Sequence, residues 1–174
     1  MLCIADGEGR NGVYLASCGH DVHSIDFSAT AIAKGERLAL EKGTKVNFEK
    51  IDVLNWTWPL STYDAIVCIF IQFVLPSARM AFFANVVAAL RPGGILIVQG
   101  YRPEQIGYGT GGPKDPDYCY TEEILRKLFS ELNIEHLHSH DTVIQEGAGH
   151  SGVSALIDLI ARKPQSTDEK LNIV

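Results

Sequence analysis

Gly7, Gly9 and Gly12 follow the apolar run Leu2-Cys3-Ile4, and Asp26 closes a second apolar run about 20 residues beyond the first of those glycines. Glycines after a strand let the backbone turn tightly and come close to a ligand, because no Cβ stands between them. An acid at the end of the second strand can accept hydrogen bonds from both hydroxyls of a ribose. Together these residues describe one half of a nucleoside pocket.

Two nucleoside cofactors compete for it. The spacing Gly7-x-Gly9-x-x-Gly12 matches the dinucleotide fingerprint, in which the turn and the following helix start receive a pyrophosphate. This turn carries Asp6 and Glu8, which would face two negative charges. S-adenosylmethionine has no phosphate and brings a sulfonium and an ammonium instead, so charge favours it over NAD. A NAD-dependent oxidoreductase would also need a second nucleotide half, of which the chain shows none.

The elements that must position these residues alternate between strand and helix. The glycine turn leads into a short helix over Glu8 to Cys18, then a strand over Val22 to Asp26. Ser28 caps a helix from Ala29 to Lys42, and strands follow at Val46 to Ile51 and Tyr63 to Ile71. The last of these is almost wholly apolar, as a central parallel strand covered on both faces must be. A helix over Ser77 to Leu90 and the turn Arg91-Pro92-Gly93-Gly94 lead to a strand at Ile95 to Gln99. Beyond a loop from Gly100 to Lys114, a helix over Thr121 to Leu132 precedes two strand-like runs, Ile134 to Gln145 and Gly152 to Arg162. Their short link, Glu146 to His150, makes them an antiparallel hairpin. The fold class expected is α/β, a doubly wound, mostly parallel seven-stranded sheet ending in a C-terminal antiparallel hairpin.

The forms Gly7-Glu8-Gly9-Arg10-Asn11 after the first strand and Leu90-Arg91-Pro92-Gly93-Gly94 before the fifth resemble the class I S-adenosylmethionine-dependent methyltransferases. The resemblance is nearest to the small tellurite-resistance-type and thiopurine-methyltransferase-like branch, and runs from Leu2 to about Lys163. That branch usually has glycine where this chain has Ala5 and often cysteine where it has Asp6. Its members also carry an N-terminal helical segment over the cofactor, which is missing here. One domain over residues 1–163, lacking that cover, and a polar tail over 164–174 are expected.

Ligands of doubly wound sheets bind beyond the carboxyl ends of the strands. The cofactor residues expected there are Ala5, Asp6, Gly7, Glu8, Gly9, Asp26, Phe27, Asp52, Val53, Phe70 and Ile71, joined by Arg10 and Asn11 from the first helical turn. The resemblance implies that Asp52 accepts a hydrogen bond from the adenine amino group, while Val53 and Phe27 sandwich the ring. Arg10 and Asn11 either orient the methionine carboxylate or satisfy backbone donors. The glycine-rich loop Gly100 to Lys114 lies where a lid or acceptor site would form, or is a plain connector. Tyr101, Tyr108 and His150 are the candidate bases should the acceptor need one, and Arg102 offers a further hydrogen bond. His136, His138 and His140 share a strand face, but no metal is expected there.

Composition bounds the partners. The chain has 174 residues, 46% of them hydrophobic, and a net charge of -6, which argues against a nucleic-acid binder and for a small-molecule acceptor. Cys3, Cys18, Cys68 and Cys119 show no metal or disulfide spacing. With no targeting segment and no apolar run long enough for a membrane, a cytoplasmic protein is expected. The function expected is methyl transfer from S-adenosylmethionine to a small molecule. The alternative is a truncated or degenerate domain that binds the nucleoside without catalysis.

Overall fold

A computed structural model describes residues 1–145 and 151–165. Strands β1 (Leu2–Ile4), β2 (His23–Asp26), β3 (Asn47–Lys50), β4 (Tyr63–Ile69), β5 (Leu90–Tyr101), β6 (Asn133–Gln145) and β7 (Ser151–Arg162) form one seven-stranded sheet in the order β3-β2-β1-β4-β5-β7-β6. The first five pair in parallel, and β7 runs antiparallel between β5 and β6. This is the expected fold class. The link between β6 and β7 and the tail from Ser166 lie outside the described residues, as does His150.

Successive side chains on a strand point to opposite faces, and here both faces are apolar. Leu2, Ile4, Ile66, Cys68, Leu96 and Val98 enter the larger core, shared with Phe82, Phe83 and Val86 of α3 (Arg79–Ala89) and Leu125 of α5 (Glu122–Leu128). Cys3 and Val67, between them in sequence, enter the opposite core, packed by Leu15 and Ala16 of α1 (Arg10–Ser17). Leu2, Ile66 and Leu96 have no exposure, and each fully buried Leu or Ile contributes roughly 1.5–3 kcal/mol.

Helix α2 (Ala29–Glu41) starts at Ser28, whose hydroxyl accepts a hydrogen bond from the Ala31 amide. Gly35 interrupts this helix, where glycine ordinarily costs about 1 kcal/mol. Packing explains it: a Cβ on Gly35 would stand 2.6 Å from the Phe48 ring, and one on Gly9 would stand 2.8 Å from the same ring. The glycine turn and α2 thus approach each other across Phe48. That contact seats the turn against the end of β2.

Several boundaries differ from expectation. The fifth strand extends from Leu90 to Tyr101, because its outer residues gain ladder partners on β4 and β7. The helix expected over Thr121 to Leu132 ends at Leu128, and the loop after β5 contains a short helix, α4 (Gln105–Tyr108), and a 3-10 turn at Pro116–Tyr118. No helix among the described residues is long and apolar enough to cross a membrane.

Candidate functional site

The central strands β1 and β4 each end in a residue whose backbone is strained. Ala5 has φ 49° and Phe70 has φ 54°, a left-handed conformation that costs roughly 1–2 kcal/mol for a residue with a Cβ. Strain of this kind persists only where surrounding structure holds it, and it gathers at functional sites. Both residues line both of two large adjoining hollows. The first, about 560 Å³, is walled also by Asp26, Phe27, Ile51, Asp52, Val53, Leu54 and Phe73. The second, about 570 Å³, is walled also by Asp6, Gly7, Glu8, Arg10, Asn11, Tyr14 and Ile69.

Asp26 ends β2 between these hollows. One carboxylate oxygen accepts from the Gly7 amide at 2.9 Å and the other from the Ser28 amide at 2.8 Å. A carboxylate has about four lone-pair sites, so each oxygen keeps one for a ligand. The backbone therefore holds the acid in place while leaving it able to bind a vicinal diol.

The two turn acids are oriented differently from what their position in sequence suggests. Asp6 turns inward: its Oδ2 accepts from the Gly12 amide at 3.0 Å and from the Ser24 hydroxyl at 2.8 Å. Burial pushes its carboxyl above the usual range, against the lowering pull of Ser24, Gly12 and Asn11. Its Oδ1 is buried and lacks a well-formed hydrogen-bond partner. Glu8 points outward to Lys34 at 2.6 Å, and that ammonium chiefly holds its carboxyl below the ordinary value. Gly9, with φ 78°, is the N-cap of α1. An amide in the first turn of that helix is thus already taken by the protein's own carboxylate, which leaves a pyrophosphate facing an anion instead of open donors.

Around the first hollow, Phe27 is 71% exposed and Val53 is buried at its edge. Asp52 lines it while also capping its own turn, accepting from the Leu54 amide at 3.1 Å and from the Asn55 side chain at 2.7 Å. Ile71, expected at the pocket, lies instead in the main core with no exposure. The chain leaves the left-handed Phe70 in a direction that carries the next side chain inward. Leu54 and Phe73 line the hollow and were not expected from sequence. Their signal was only an apolar residue just past a strand end.

The described candidate bases are both held by other side chains. Tyr101 is buried, its ring stacked on Phe70 at 4.5 Å between centroids. The Tyr108 hydroxyl donates to Asp141 at 2.6 Å, and that hydrogen bond pushes its phenol above the ordinary value. Asp141 also pairs with Arg102. His150 lies outside the described residues. Of the three strand histidines, His140 is engaged by Asp158 at 2.8 Å, and no group of three or more metal-ligating side chains gathers among the described residues.

Residues 1–94 match the family model described as "Methyltransferase domain". The chain is 31% identical over 105 residues to a glycine/sarcosine N-methyltransferase of Halorhodospira halochloris, across 56% of this chain and 38% of that protein. It is 33% identical over 94 residues to a carboxy-S-adenosyl-L-methionine synthase of Geobacter metallireducens, across 53% of this chain and 37% of that one. It thus spans under two fifths of the length of either relative. Among solved structures, an S-adenosylmethionine-dependent methyltransferase of Methanosarcina mazei superposes with a TM-score of 0.75 at 19% identity, covering 95% of this chain and 92% of that one.

Proposed function

From the premise that this chain belongs to the methyltransferase domain family, we propose that it transfers a methyl group to a small molecule, as in the tellurite-resistance-type and thiopurine-methyltransferase-like branch. S-adenosylmethionine is the methyl donor of the family. The residues fit it. Asp26 offers free lone pairs for the ribose, the apolar first hollow suits an adenine between Phe27 and Val53 with Asp52 at its edge, and the second hollow carries Arg10 and Asn11 for the amino-acid end. Asp6 also lines that hollow, and its carboxylate suits a cation. The anchored Asp26 carboxylate is the observation that carries this reading.

When bound, the donor supplies an electrophilic methyl on a sulfonium: the acceptor's lone pair forms the new bond to carbon as the carbon–sulfur bond breaks, its electron pair staying on sulfur. The chain's part is to hold donor and acceptor in line, which is worth about 7–11 kcal/mol in good geometry. With the Tyr108 hydroxyl donated to Asp141, the reading favours an acceptor that arrives already nucleophilic, as a thiolate or chalcogen oxyanion does. The four free cysteines suit a reducing compartment, and we place the protein in the cytoplasm.

Calorimetric titration with S-adenosylmethionine, S-adenosylhomocysteine and NAD tests the reading. Saturable binding of the first two and none of NAD is expected, followed by S-adenosylhomocysteine release in the presence of thiols, selenite or tellurite. Binding of NAD alone would overturn the cofactor. Donor binding with no turnover of any acceptor would leave a nucleoside-binding module in place of an enzyme.

A further inference from the structure

We propose that the methyl acceptor occupies a third hollow bordering Phe70, and that Gln105 is the positioning residue that fixes this hollow's outer wall. The proposal rests on the donor reading above. The hollow measures about 240 Å³ and is lined by Phe70, Gln72, Phe73, Tyr101, Gly112 and Pro113. Phe70 also lines both hollows of the donor groove, so one strained residue stands where all three meet.

Size and lining define the occupant. A cavity of about 150 Å³ suffices for benzene, so this one admits a single substituted ring. None of its lining side chains is charged. The Gln72 amide is spent within the protein, donating to the carbonyls of Tyr101 at 2.9 Å and Tyr118 at 3.0 Å and accepting from the Tyr101 amide. The acceptor class that fits is a one-ring molecule with an uncharged body that carries its own nucleophilic atom.

The wall formed by Gly112 and Pro113 belongs to a segment whose Gly109, Gly111 and Gly112 all have positive φ, a composition that by itself gives a mobile connector. Gln105 removes that freedom. It is fully buried, and its amide donates to the Thr110 hydroxyl at 3.0 Å and to the Gly111 carbonyl at 2.9 Å, while its oxygen accepts from the Ala155 amide of β7 at 2.8 Å. The Thr110 hydroxyl donates onward to the Val153 carbonyl at 2.6 Å. Gly112 rests directly on this brace: a Cβ there would lie 2.9 Å from the Tyr101 ring and 3.1 Å from Gln105. The antiparallel hairpin thereby sets the width of the acceptor hollow.

The test uses the protein saturated with S-adenosylhomocysteine and titrated with 4-fluorothioanisole, a neutral one-ring thioether followed by fluorine NMR. Saturable binding is expected, weakened about tenfold or more by Gln105→Glu and by Thr110→Val, each of which leaves a buried polar group unsatisfied. Thr110→Ser, which keeps the hydroxyl, restores it. S-adenosylhomocysteine affinity by calorimetry stays within about twofold in all three variants, since none touches the donor groove. Absence of saturable probe binding to the loaded wild type overturns the acceptor hollow. An unchanged Thr110→Val, or equal loss of both ligands, overturns the role of Gln105. Failure of the wild type to take up S-adenosylhomocysteine breaks the donor reading instead.

Discussion

The two ends of the parallel strands are built from the same sheet and treat their polar groups in opposite ways. At the amino ends, His23 bridges Tyr63 and Glu49 at 2.9 Å each, and Arg91 meets Asp64 at 2.7 Å. Tyr63 is pushed above its ordinary value by burial and by Glu49, and Asp64 is pulled down by Arg91. These groups are turned to one another, although Ser61, just before β4, also has a positive φ of 47°. At the carboxyl ends, Ala5 and Phe70 hold strained backbones, Asp26 keeps lone pairs open, and one oxygen of Asp6 is buried without a well-formed hydrogen bond. A fold left to satisfy itself resembles the first end. The second end is the one the proposed donor would complete.

Asp26→Ala attacks this contrast most strongly. Two hydrogen bonds to a charged acceptor are worth roughly 1.5–3 kcal/mol each, so S-adenosylhomocysteine affinity should fall about 100-fold or more by calorimetry. His23→Ala at the other end should lower stability by about 1 kcal/mol in urea denaturation, through the lost hydrogen bond to the half-buried Tyr63, with donor affinity unchanged. If His23→Ala weakened donor binding as Asp26→Ala does, the two ends would not be functionally distinct.

Asp6→Asn sharpens the comparison, because it should weaken the donor about tenfold while leaving the protein as stable as before, or more so. The sign follows from its raised carboxyl: a group whose folded value exceeds its unfolded value favours the folded state at low pH and loses that contribution as pH rises through the folded value. The stability advantage of Asp6→Asn should therefore appear as pH rises from below the usual aspartate range and level off above the raised value. A constant difference across the range would show that burial of the charge is not at issue. Ala5→Gly should stabilise the protein by about 1 kcal/mol through relief of its left-handed strain. Glu8→Gln should have the least effect, changing donor affinity by less than about twofold, since its partner is the exposed Lys34.

Much of the candidate groove's lining was legible in the residues because a strand, its turn and the next strand are close in sequence. The Gly7 amide donates to the Asp26 carboxylate across nineteen positions. The directions of the turn acids were not legible, since Asp6 is fixed by Ser24 and Glu8 by Lys34, on elements the sequence places only in order. Ala5 read as a glycine replaced by one extra methyl, and its strain became visible only with the backbone angle.

The sequence by itself determined the apolar alternation of the strands, the glycine turn, the acid that closes β2 and the hairpin that makes the sheet mixed. These follow from short-range periodicity and turn chemistry, which act within a few residues. Only the tertiary structure decided that Ile71 faces the core, that Tyr108 is tied to Asp141, and that the glycine-rich segment is a braced wall. The brace joins Gln105 to Ala155, fifty residues apart. Such a contact depends on how β5 and β7 pair, and nothing in the local pattern around Gln105 specifies that pairing.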